Sequence, residues 1–106
     1  MQLDLYVQLR ALVEAKLAGL IQVIDQTHAD MDAMSDESDW RRSLRMKQRF
    51  VAKVEALTDL LVDAAAGYPD CLSDALAIRE AWNARAEERQ ASALAHVPPT
   101  TAQVLN

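Results

Sequence analysis

Residues Ser35 to Gly67 read SDESDWRRSLRMKQRFVAKVEALTDLLVDAAAG, and the way this stretch begins and ends decides the fold. The opening Ser35-Asp36-Glu37-Ser38-Asp39 supplies N-cap side chains and carboxylates for a first helical turn, where the positive end of the helix dipole favours them. From there Trp40, Leu44, Phe50, Val51, Val54, Leu57, Leu61 and Ala65 keep to one face of a helix over 37–66. Gly67-Tyr68-Pro69 then reads as a stop, with the glycine suited to a left-handed cap and the proline unable to continue the ladder.

Working towards the N-terminus, Leu3, Tyr6, Val13, Leu17, Leu20, Ile24, Met31 and Met34 repeat at helical spacing. Leu9, Ile21 and Val23 widen the stripe. This predicts one long amphipathic helix over 2–34. Gly19 is its weak point, costing up to about 1 kcal/mol relative to alanine, and a neighbouring helix is expected to approach closely there.

Towards the C-terminus, Asp70 or Ser73 can cap a third helix over 71–96, with Leu72, Ala75, Leu76, Trp82, Ala86, Ala93 and Val97 on one side. Arg79 and Gln90 interrupt that stripe. Pro98-Pro99 ends it. Residues 98–106 are expected to form a flexible tail with a small apolar hook at Val104-Leu105, so the helical domain occupies 1–97.

Two helices of about 30 residues are each ~45 Å long, whereas a compact globule of this size has a radius of gyration of only ~13 Å. The fold class expected is therefore all-α: an elongated antiparallel helical hairpin with a third helix packed across it, resembling a three-helix bundle. A shape so slender leaves apolar surface uncovered, and self-association into a dimer or larger assembly is the simplest way to hide it.

Composition narrows the function classes. Two glycines and three prolines in 106 residues leave an all-β fold without its turns. The lone Cys71 cannot form an internal disulfide, and no apolar run approaches the ~18 residues of a membrane span. The N-terminus lacks the basic start of a signal peptide, so a cytoplasmic location is expected. His28, Asp30, Asp32, Asp36, Glu37 and Asp39 lack the spacing of a calcium loop, and neither His28 nor His96 follows a glutamate by three residues, as a di-iron site requires. Cys71 has no nearby histidine to activate it. No catalytic residue, cofactor or metal site is expected.

The feature that points outward is charge. The net charge is −5, yet six of the eleven basic residues lie between Arg41 and Lys53. At 100° per residue Arg41, Arg42, Arg45, Arg49 and Lys53 share an arc of about 120°, nearly opposite the stripe centred on Val54 and Leu61. Glu37 and Asp39 are placed to neutralise only Arg41 and Arg42. Lys47 falls instead within the apolar stripe, where an antiparallel hairpin puts it opposite Asp25, and a cross-helix pair is expected.

Trp40 and Trp82 are expected to anchor the core, and Trp40, beside the loop and the basic face, is the better placed to act as an interface hot spot. The candidate partner-binding set is therefore Trp40, Arg41, Arg42, Arg45, Arg49 and Lys53. The reading that follows is a non-enzymatic helical adaptor, chaperone or inhibitor that grips a protein partner and self-associates. Two alternatives are an oligomeric nucleic-acid-associated protein, on the plan of a phage DNA-packaging subunit, and an inhibitor whose acidic remainder mimics DNA. No aromatic residue alternates with the arginines to stack bases.

Overall fold

The computed structural model describes residues 3–94 as three helices: α1 (Leu3–Asp32), α2 (Glu37–Ala65) and α3 (Pro69–Leu94). They form an all-α bundle with α1 and α2 as an antiparallel hairpin and α3 lying back along α2. The principal extents are 60 × 17 × 14 Å and the radius of gyration is 17.2 Å, the rod expected from helix length rather than a sphere. The Pro98-Pro99 stop, His96 and the tail lie outside the described residues.

The first turn is built as the sequence predicts. Asp36 adopts an extended backbone (φ −100°, ψ 121°), and its side chain accepts from the N–H groups of Ser38 and Asp39. These bonds satisfy donors that the helix cannot satisfy itself.

The second turn is made differently. Gly67 has no positive φ, and α2 ends on Ala66 in ordinary right-handed conformation, donating to the Asp63 carbonyl. Pro69 is the first residue of α3 rather than a breaker before it. Its fixed φ suits that position and its missing N–H would have no helical partner there. Asp70 thus lies within the first turn of α3 and does not precede the helix.

The core runs the length of the rod. Tyr6, Val13, Leu17, Ile21 and Ile24 of α1 meet Val51, Val54, Leu61 and Ala65 of α2 and Cys71, Ala75 and Ala86 of α3. Small residues on α3 let its backbone lie close, which explains how a helix with a broken apolar stripe still docks. Arg79 and Gln90, the interruptions, stay partly exposed at its margins, and Arg79 reaches Asp59 of α2 at 3.5 Å. Trp82 is half-buried, with the Arg85 guanidinium 4.8 Å from its ring centroid.

Contact between α1 and α3 is thinner and is held by polar clamps. Near one end Tyr6 Oη donates to Asp74 Oδ2 at 2.6 Å while Arg10 Nη1 spans both oxygens of the same carboxylate at 3.1 and 3.2 Å. Towards the other end Arg89 Nε donates to Asp25 Oδ1. Burial, reinforced by the bond to Asp74, pushes the Tyr6 hydroxyl well above its usual pKa.

Candidate interaction surface

Five of the six candidate residues, Arg41, Arg42, Arg45, Arg49 and Lys53, are exposed on the back of α2. They do form a face. Arg41 is held by Glu37 through bonds of 2.8 and 3.1 Å, and the Lys53 ammonium lies 5.3 Å from the centroid of the Phe50 ring. Among the described residues Arg42, Arg45 and Arg49 make no ion pair, so the Asp39 to Arg42 contact expected from spacing is not made. Trp40 does not belong with them. It is only 5% exposed, packed inside near the α1–α2 turn, because the stripe that carries it faces the core.

Lys47 is fully buried, and its partner is not the one predicted. Its Nζ lies 2.7 Å from His28 Nδ1, while Asp25 is taken by Arg89 of α3. A single hairpin would leave Asp25 for Lys47; the third helix supplies the competing cation. A protonated lysine can only donate, so with Lys47 charged His28 Nδ1 accepts; the other ring nitrogen, Nε2, lies 3.7 Å from Asp32 Oδ2. Burial holds the Lys47 ammonium below the usual lysine pKa, opposed by Asp25 and Asp32, while Arg89 adds to the lowering. Every described buried side-chain nitrogen and oxygen has a hydrogen-bond partner. Lys47 is locked beneath His28 and Asp32, which remain partly exposed, and has no open space of its own in which to meet a substrate.

A concavity lies elsewhere. A groove of about 630 Å³ runs between α1 and α2, lined by Lys16, Gly19, Leu20 and Val23 on one side and Lys53, Ala56 and Leu57 on the other. No α3 residue lines it. The close helix contact expected at Gly19 is absent: a Cβ built there would meet nothing within 4 Å, because the glycine faces open space above the groove.

Apolar surface continues on both banks. Leu5, Leu12 and Gly19 recur every seven residues along α1, as do Met46, Lys53 and Leu60 along α2, and each set therefore keeps to one side of its helix. Leu12 is 57% exposed and Leu60 55%. This surface was detectable in the sequence as a second stripe beside the core stripe of α1. Of the residues that widen the core stripe, Leu9 and Ile21 do pack on the core, whereas Val23 is 42% exposed and belongs to this second surface.

Cys71 is buried in the first turn of α3. Among the described residues no three His, Cys, Asp or Glu side chains converge as metal ligands, and no helix is long and apolar enough to cross a membrane. No protein family, curated protein or solved structure matches the chain. Geometry and chemistry therefore carry the functional reading.

Proposed function

We propose that the chain is a non-enzymatic helical interaction protein, an adaptor, chaperone or inhibitor, that binds a protein partner in the groove between α1 and α2. The observation that carries this reading is the coincidence of an uncovered apolar trough with Lys16 and Lys53 in its walls. An amphipathic segment recognised through residues at i, i+3, i+4 and i+7 is the usual occupant of such a trough.

Gly19 supplies the test. A phenylalanine there projects into open space and fills the groove without displacing a core residue. Affinity capture from the native host should recover a stoichiometric protein with the wild-type chain and lose it with Gly19→Phe. Equal recovery by both chains would remove the groove from the interaction.

The three unpaired arginines favour a second reading, contact with nucleic-acid phosphate. It predicts binding to a random duplex that weakens steeply between low and physiological salt and disappears on charge reversal at Arg45 and Arg49. No mobility shift at low salt would eliminate it.

A further inference from the structure

We infer that the occupant of the α1–α2 groove is an amphipathic helix of another protein whose apolar stripe is flanked by carboxylates, and not a second copy of this chain. The inference rests on the groove reading above and adds the chemistry of the partner.

Its basis is the distribution of charge around the trough. Because α1 and α2 are antiparallel, Lys16, at the N-terminal end of the α1 bank, and Lys53, at the N-terminal end of the α2 bank, stand at opposite ends of the groove on opposite sides. Beyond Lys53 the α2 bank continues through Arg49 and Arg42, which lie seven and fourteen residues before Ala56 and so share its side of the helix, while Asp63, seven residues after Ala56, and Asp30, seven residues after Val23, put one carboxylate beyond the C-terminal end of each bank. None of the sixteen acidic residues of the chain falls between Trp40 and Val54, and no carboxylate lines the groove. The walls are apolar and both charged side chains that line the groove are cationic, on a chain whose net charge is −5.

This disfavours a second copy as the occupant. Two copies joined face to face would bring Lys16 and Lys53 of each into a single desolvated patch with no lining carboxylate to receive them. Like charges facing across an interface select against that pairing. A helix with leucines along one stripe and glutamates on either side meets the same groove with its stripe against Leu20, Val23 and Leu57 and its carboxylates within reach of Lys16 on one bank and Lys53 and Arg49 on the other. The long lysine stems lie along apolar walls while their charged ends stay at the rim.

The test uses two synthetic helical peptides of about five turns with the same leucine stripe, one flanked by glutamate and one by lysine, and reads fluorescence anisotropy with the full chain at physiological salt. The glutamate peptide should bind saturably and at least about tenfold more tightly than the lysine peptide. Gly19→Phe should weaken it by about tenfold or more while leaving the thermal midpoint unchanged or raised. The double reversal Lys16→Glu with Lys53→Glu should invert the preference between the peptides.

Equal binding of both peptides, with loss in Gly19→Phe, would overturn the inferred chemistry and leave the groove as a protein-binding site. Failure of both peptides, together with a wild-type dimer in light scattering that Gly19→Phe converts to monomer, would assign the groove to a second copy. Failure of both peptides with a monomer throughout would overturn the inference and the groove reading together.

Discussion

The hairpin of α1 and α2 has two flanks with opposite fates. On the flank that α3 covers, polar side chains close the seams: Tyr6 and Arg10 on Asp74, Arg89 on Asp25, and Thr58 with Asn83 at 3.3 Å. On the other flank Leu12, Val23, Met46 and Leu60 face outward, and the titratable groups nearest the groove are lysines with no cross-helix partner. The difference shows that burial in this molecule is decided by helix number. Three helices of nearly equal length cover one flank of a two-helix ladder and leave the other for something else. Cross-helix clamps follow the covered side, because a polar group withdrawn from water needs a partner and one at a rim does not.

The adjacent leucines of α2 separate the two flanks most sharply. Leu61 is completely buried and Leu60 is 55% exposed. Leu61→Ala should cost about 3 kcal/mol through lost transfer energy and the cavity left behind. Leu60→Ala should stay within about 0.5 kcal/mol, as expected of an exposed site away from special features. Urea denaturation of the two variants measures both, and a comparable loss in Leu60→Ala would mean that the open flank is already covered in the free protein.

The Lys47 lock offers the next largest effect. His28→Ala removes the hydrogen-bond acceptor from a fully buried ammonium, and the expected loss is about 2–3 kcal/mol. Lys47→Met keeps the stem and removes the charge, so it should fold within about 1 kcal/mol of the wild type or above it. In the double variant the His28→Ala penalty should shrink, because no charge is left without a partner. An undiminished penalty would show that His28 stabilises the fold independently of Lys47.

How much of this was legible in the sequence depended on whether one helix or several set the outcome. Local features were readable: the Asp36 cap, the 3-4 spacing of Val54 and Leu61, and the exposure of Arg45 and Arg49 all follow from a single helix. Gly67 and Pro69 were read as a stop, but the turn is closed by 3₁₀-like bonds and by a proline inside the first turn of α3, because a right-handed path was short enough to join the helices. Asp25 and Gly19 required the full bundle. One is claimed by Arg89 from a helix 64 residues away; the other faces open space because α3 packs on the opposite flank. Trp40 entered the candidate surface through its sequence neighbours, yet helical phase turns it into the core.

The smallest effect sharpens the account of the covered flank. Tyr6→Phe removes the bond to Asp74 but leaves Arg10 on the same carboxylate, so the loss near neutral pH should be about 1–2 kcal/mol. The pH profile then tests whether burial and the bond to Asp74 hold the hydroxyl protonated. In the folded protein Tyr6 keeps its proton above the ordinary tyrosine value, whereas in the unfolded chain it ionises near pH 10. The folded state therefore binds more protons above that pH. The Tyr6 contribution should be fully present below about pH 10 and fall at up to about 1.4 kcal/mol per pH unit above it. Denaturation curves for wild type and Tyr6→Phe should converge as pH rises from 9 to 11. A constant separation would mean that the hydroxyl is not held by Asp74 and that the clamp between α1 and α3 rests on Arg10 alone.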